Sequence, residues 1–541
     1  MHAPRRRPRR SILIAAVAAA TLALGACAGP GAGEDPGAGG GELVWAIAGA
    51  NLSAGHMDPQ TSQLDSAASV QRGVLDSLVF QNPDGTFAPW LASGWVVSAD
   101  GREYTFSLRD DVVFHDGTPF DAAAVKANLD RIADPATASA QAASMLGDDT
   151  YEGTTVIDPH TVVVRFSQPN APFLQAASTA YLGMYSPATL EANAATLKAG
   201  GPGITVGSGP LIMSDYVPDQ EIVYTRNDAY AWGPNGAEAP QFATLRVAIV
   251  PEPAVRTGMI SSGEAQLASN ITPNAVSTLD SAVTVDAKGV PGLPYSLFLN
   301  ERYGVFADAL VREAFSLAID VDTAVKTIYF DQFQRAWSVL GPATPGYDAS
   351  LEGTWAFDRE RANALLDSAG WTQRDAQGYR TRDGERLSAR WIAWTPVADE
   401  AAALANAVQS DLREVGFEIV RETLEPGAYN EQYGPKTFDI TDWDFAGVDP
   451  DLLRAHLHSE GFQNASQVND PELDSLLSDA VAESDPGARA ALYRQVQQWN
   501  ARHHAIVPLF VPSVITAVGP EVVGLSYDLY GRPLFFGVSL G

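Results

Sequence analysis

Between Glu103 and Leu108 the side chains Tyr104, Phe106 and Leu108 alternate with Thr105 and Ser107, the period-two pattern of a strand with one buried face. Asp100-Gly101, just upstream, is a hairpin-turn pair, so a partner strand is expected before it. Asp116-Gly117 marks a second turn, and beyond it the period lengthens: Val125, Leu129 and Ile132 fall at i, i+4 and i+7, one face of a helix with Asp121 as its N-cap. Thr161 to Phe166 reads as another strand, followed by a mostly polar region that ends in PGITVGSGP. Further on, Asp358 caps a helix with Ala362, Leu365, Leu366 and Ala369 on one face and Gly370 as its left-handed stop. A hairpin turning at Asp383-Gly384 feeds a strand from Leu387 to Trp394. Asp470-Pro471 opens a helix carrying Leu473, Leu476, Leu477 and Ala480, proline being tolerated where no N–H is needed. Strands and helices interleave throughout, which predicts an α+β or mixed α/β chain with no short-period repeat and no heptad run.

The N-terminus follows a different rule. Arg5, Arg6, Arg7, Arg9 and Arg10 precede an apolar run from Ile12 to Leu24, then Gly25, Ala26 and the only cysteine of the 541-residue chain, Cys27. A run of about 13 residues is short of the roughly 20 that cross a bilayer, so residues 1–26 read as a signal peptide. Leu24-Gly25-Ala26-Cys27 resembles the bacterial lipoprotein box, which implies that Cys27 becomes the acylated first residue and the lipid anchor. Arg9-Arg10-Ser11-Ile12-Leu13 also fits a loose twin-arginine pattern. Residues 27–41, rich in Gly and Pro, have the composition of a flexible tether.

Charge narrows the partners. The chain carries 65 acidic against 35 basic residues, a formal charge of −30, and losing the five leader arginines makes it more negative still. Such a surface repels nucleic acid and anionic lipid. With 46% hydrophobic and 18% charged residues, the remaining length of about 500 residues is an ordinary globule with room for two or three domains.

Several blocks resemble one family. These are Asp58-Pro59, the stretch Trp95 to Asn128 with its YTFSLRDDVVFHDGTPF core, Gly207-Ser208-Gly209-Pro210, and Arg226-Asn227 with Tyr230-Ala231-Trp232. In the second half come Phe298-Leu299-Asn300, the run Val311 to Asp320, FDRERANALLDSAGW, and Ile506-Val507-Pro508-Leu509. Together they look like the solute-binding proteins of ATP-binding-cassette importers, in the class that takes peptides, nickel complexes and opines. The resemblance implies a large, type II, two-lobed periplasmic-binding-protein-like α/β fold with an additional α+β domain. It would place lobe I at 42–75, 203–292 and 508–541, the extra domain at 76–202 and lobe II at 293–507. It also implies a monomer that closes around a solute like a hinged clamp, docks on the permease subunits of an importer, and works outside the cytoplasm, on the outer face of a bacterial cell membrane.

The resemblance points to FDITDWDFAGVDPDLLRAHLHSEGFQN for the solute. Peptide-binding members end a strand there with a Trp and carry, three residues on, an Asp that pairs with the peptide ammonium. Aligned on Trp443 and Asp449-Pro450, that position here is Ala446, so the ammonium clamp is missing. Trp443 is the candidate stacking surface, and Asp444 could meet a cation, although on a strand it would face away from Trp443. Trp394 could line the same cleft, with a core position the preferred reading. A peptide or peptide-like solute is expected, with an oligosaccharide, opine or metal chelate, for uptake or for signalling, as the alternatives.

Other chemistries find little footing. Asp442 with Asp444, or Asp449 with Asp451, are paired carboxylates of the kind a secreted glycoside hydrolase would need about 5 to 9.5 Å apart. Gly207-Ser208-Gly209 lacks nucleophile-elbow spacing, and no P-loop, H-E-x-x-H or dinucleotide fingerprint is present. His456 and His458 diverge on a helix, His503-His504 diverge in any structure, and a zinc thiolate site is unavailable to one cysteine. No catalytic residue, metal or cofactor is expected.

Overall fold

The chain passes twice between two β-sheets, and both crossings are marked by proline. The computed structural model describes residues 40–49 and 52–541. A seven-stranded sheet is ordered Thr284–Gly289, Ser513–Val518, Leu267–Ser269, Glu42–Ile47, Thr244–Ile249, Glu221–Arg226 and Leu211–Val217. A six-stranded sheet is ordered Gln334–Arg335, Ile506–Val511, Gly292–Leu299, Ile440–Ala446, Ser388–Trp394 and Glu418–Leu424. Thr284–Gly289 pairs with Ser513–Val518 in the first sheet. Their continuations, Gly292–Leu299 and Ile506–Val511, pair in the second.

Pro291 and Pro512 sit in the two links. Neither can donate to a ladder, so the sheets stop there and a single bond, Val290 N–H to the Pro512 carbonyl at 2.7 Å, ties the links together. The second crossing thus comes after Val511, whereas the family resemblance put lobe I from 508; Ile506–Val511, buried along its whole length, belongs to the six-stranded sheet. Gly292 has φ +119, and a Cβ there would lie 2.2 Å from the Phe445 carbonyl oxygen. Only glycine allows the first crossing strand to run this close to the Ile440–Ala446 strand.

The third body is an antiparallel sheet ordered Ala92–Val97, Glu103–Leu108, Thr161–Phe166 and Tyr151–Asp158. Val97 pairs with Tyr104 across the Asp100-Gly101 turn. Phe106, Phe166 and Phe173 are buried behind it, Phe166 and Phe173 with centroids 4.9 Å apart. The helix Ala122–Ala133 begins where the Asp121 carboxylate accepts the Ala124 N–H. Residues 167–202, polar in overall pattern, pack more deeply than that pattern suggests: Phe173, Tyr181, Leu182 and Tyr185 are all buried, on short helical pieces too brief for a period to emerge.

Two family-like motifs act through buried carboxylates. Asp58 is fully buried, paired with Arg131 at 2.5 Å and bonded by the Tyr185 hydroxyl at 3.1 Å, so it bolts the N-terminal segment to the Ala122–Ala133 helix as well as forming a turn. Asp76 accepts the Trp232 indole N–H at 2.9 Å and the Ser208 hydroxyl at 3.0 Å. Gly207 and Gly209 flank Ser208 against the backbone of residues 73–74, where a Cβ would come within 2.0 and 2.3 Å of carbonyl oxygens.

Candidate functional site

The strand Ile440–Ala446 carries the expected site residues, and its period of two sorts them. Trp443 and Phe445 pack on one side with Phe298 and Leu453. Asp442 points to the other, where it accepts the Trp391 indole N–H at 3.0 Å and the Tyr295 hydroxyl. Burial raises the Asp442 carboxyl above the ordinary range.

Trp443 is half-buried. It stacks on Phe298 with centroids 3.9 Å apart and planes at 25°, and meets Tyr433 edge-on at 5.7 Å. Its indole N–H is buried without a hydrogen-bond partner. Trp394, for which a core position is the preferred reading from the sequence, is instead 51% exposed. It closes its strand with the ring tilted against Tyr429 at 5.6 Å. Tyr429 and Tyr433 lie one helical turn apart on Pro426–Tyr433 and stack at 5.6 Å. A continuous run of rings therefore links Trp394 to Tyr429, Tyr433, Trp443 and Phe298. The two tyrosines are the members that reading the sequence misses; their signal is the i, i+4 spacing in PGAYNEQY.

Asp444 stands on the opposite side from Trp443. It is exposed, yet protein around it desolvates the carboxyl enough to raise its pKa. Tyr329 feels both Asp444 and Glu400, each of which pushes its hydroxyl pKa up after burial. Glu400 in turn rims an open groove of about 470 Å³ whose other walls include Glu252, Thr257, Thr272 and Asn274. Glu400 is the lining residue that the six-stranded half of the chain contributes to that groove. Ala446 is exposed at the strand end, opposite Gly292, and offers a solute no charge.

The other acid pair, Asp449 and Asp451, is engaged. Asp449 takes two bonds from Arg489 at 2.7 and 2.8 Å. Asp451 pairs with Arg454 at 2.7 Å and accepts the Tyr493 hydroxyl at 3.1 Å.

Histidines are scattered. His456 is buried, donates from Nδ1 to the Leu452 carbonyl at 2.8 Å, and is held down to about 4 by burial. His458 lies 3.8 Å from Asp474, and His503 stacks on Trp499 at 4.1 Å. Among the described residues no group of three His, Cys, Asp or Glu side chains could hold a metal ion, and no helix is long and apolar enough to cross a membrane. Cys27 lies outside the described residues.

Comparison with known proteins gives one consistent answer. The family model for bacterial extracellular solute-binding proteins, family 5 middle, matches residues 86–461. The di/tripeptide-binding protein 2 of Pseudomonas aeruginosa is 28% identical over 473 residues, covering 82% of this chain and 85% of that protein. The nickel-binding periplasmic protein of Escherichia coli is 24% identical over 473 residues, covering 84% and 87%. Among solved structures, NikA from Brucella suis in complex with Fe(III)-EDTA superposes with a TM-score of 0.79 at 26% identity, covering 93% of this chain and all of that one.

Proposed function

We infer the function from one premise: the chain belongs to the bacterial extracellular solute-binding proteins, family 5. It captures a small solute between two lobes and delivers it, chemically unchanged, to the permease subunits of an ATP-binding-cassette importer. The observation that carries this reading is the pair of proline-marked crossings between the two large sheets. Two adjacent links with one bond between them form a hinge, and solute shifts the open–closed balance by its preference for the closed state.

A peptide or peptide-like compound is the proposed solute. Support comes from the ring series ending at exposed Trp394, from the desolvated carboxylate of Asp444, and from the peptide-binding relative. Aromatic faces with a few placed polar groups are the usual lining of such clefts. A metal chelate is the second reading, favoured by the likeness to a structure holding Fe(III)-EDTA. In both, Trp443, Asp444, Ala446 and Trp394 lie toward the solute, Ala446 by leaving room in place of a charge. Lobe I takes residues 42–75, 203–291 and 512–541; lobe II takes 292–511; residues 76–202 form the extra domain. The mature protein is a monomer held to the outer face of the cell membrane by acylated Cys27.

The test is to titrate the purified soluble body with peptides, oligosaccharides and nickel chelates while following tryptophan fluorescence and Tm. A bound solute at a hundred times its Kd adds about 2.7 kcal/mol of stability. A response to peptides alone supports the first reading, to chelates alone the second, and silence to every class with turnover of a glycoside ends both.

A further inference from the structure

A hairpin of the extra domain reaches across to the six-stranded half of the chain. It pairs Val79–Gln81 with Phe87–Pro89 and turns through Gly85, whose φ is +85. A Cβ at Gly85 would lie 3.3 Å from Pro345 Cγ and 3.5 Å from Pro345 Cβ, so the backbone of the tip rests on a proline of lobe II. Glycine suits this place twice, by its left-handed conformation and by leaving room for that ring.

Both sides of the contact are braced. At the tip the Asn82 N–H donates to the Thr86 carbonyl at 2.8 Å and the Gly85 N–H to the Asn82 carbonyl at 2.9 Å, while Asp84 accepts the Thr86 N–H at 3.0 Å. Behind the tip Phe80 meets the buried Trp90 edge-on at 5.9 Å, and the Asn235 side chain of lobe I donates to that of Asn82 at 3.0 Å. The hairpin is thereby tied to lobe I. Pro345 follows Thr344, whose hydroxyl accepts the Gly292 N–H at 2.7 Å. The Gly341 N–H donates to the Gly292 carbonyl at 2.8 Å, and the Gly346 carbonyl accepts from Gln497 at 2.8 Å. These bonds tie Pro345 to the crossing strand and to lobe II.

The same hairpin fills one end of the space between the lobes. Phe80 and Gln81 line a cavity of about 30 Å³ together with Tyr530 and with Val448, two residues beyond Ala446. The Tyr530 hydroxyl meets the Val448 backbone amide. That volume holds about two water molecules, so the Ala446 end of the space is closed by protein.

We propose that the hairpin is the stop against which lobe II closes and the end wall of the crevice, with Gly85 and Pro345 as the touching surfaces. The extra domain thus takes part in the clamp, by fixing how far it shuts on a solute. The contact lies beside the crossings, where a small displacement is multiplied at the far mouth of a hinged body. This inference rests on the clamp reading and adds to it what sets the closed position.

The experiment uses the short separation at the contact. A disulfide spans Cβ atoms about 3.5 to 4.5 Å apart, and the only natural cysteine of the chain is Cys27. Gly85→Cys combined with Pro345→Cys in the full-length protein, oxidised with diamide and verified by peptide mass, should form a bond that pins the clamp shut. The radius of gyration from small-angle X-ray scattering should fall below that of the reduced, solute-free form, and release of bound Ala-Ala-Ala should slow by at least about tenfold. Failure to form the bond, an unchanged radius, or unchanged release of the tripeptide overturns the stop while leaving the clamp reading in place. If Ala-Ala-Ala binds neither form, the peptide reading fails and the radius alone decides the stop. Should the pair not fold, Gly85→Asn decides. Its side chain against Pro345 should hold the clamp ajar and raise the radius, whereas Gly378→Asn, at φ +87 with open space around the Cβ, should not; equal radii for the two overturn the proposal.

Discussion

The Trp443 indole stacks on the Phe298 ring with centroids 3.9 Å apart, and this contact joins the site strand to the strand that enters the six-stranded sheet from the hinge. In the proposed clamp the solute-facing indole is packed against the strand next to the crossings, so binding and closure would share a side chain.

Truncating Trp443 should cost both stability and affinity. Trp443→Ala removes a half-buried indole and is expected to lower the unfolding free energy by about 3 kcal/mol, read from urea midpoints. Trp394→Ala, at an exposed strand end, should change stability by less than about 1 kcal/mol while weakening solute binding. If Trp394→Ala binds solute as the natural protein does, the ring series stops short of the solute.

The hinge strand tolerates no side chain at Gly292. With φ +119 and a Phe445 carbonyl oxygen 2.2 Å from the position of a Cβ, Gly292→Ala must displace the Ile440–Ala446 strand. A loss on the order of 3 kcal/mol is expected, whereas Gly378→Ala, at a turn with open space around the Cβ and φ +87, should cost about 1 kcal/mol. Similar melting temperatures for the two variants would contradict the close approach.

Asp76 should make the protein less stable as pH rises toward neutrality. Burial raises its carboxyl to about 7 from an ordinary 3.8, against the opposing pull of Trp232, Arg72 and Ser208. The folded form therefore holds a proton that the unfolded chain releases between those values, and stability falls with increasing pH across that window before levelling off above 7. The full contrast is on the order of 4 kcal/mol. Asp76→Asn should flatten that part of the profile of Tm against pH; an unchanged slope would assign it to other groups.

Cys27→Ala should release the protein into the medium or leave the leader attached, measured by fractionating cells and weighing the mature N-terminus. Two or more acyl chains hold stably where one is marginal. Unchanged retention and mass would remove the anchor.

Some features were already decided along the chain. Asp121, Asp358 and Asp470 each cap the helix that follows, Asp383 and Gly384 both adopt positive φ at the hairpin, and Tyr104, Phe106 and Leu108 are buried on one face of their strand. Capping, turn geometry and side-chain alternation depend on residues within a few positions, so the order of residues determines them. Trp394 turning outward, the tyrosines that connect it to Trp443, and the depth of residues 167–202 were settled by packing. A small cavity is the clearest case: Arg72, Gln175, Val448, Asp528 and Arg532 are among the residues that line it. No local pattern records that meeting, because it exists only once the two crossings have folded the halves against each other.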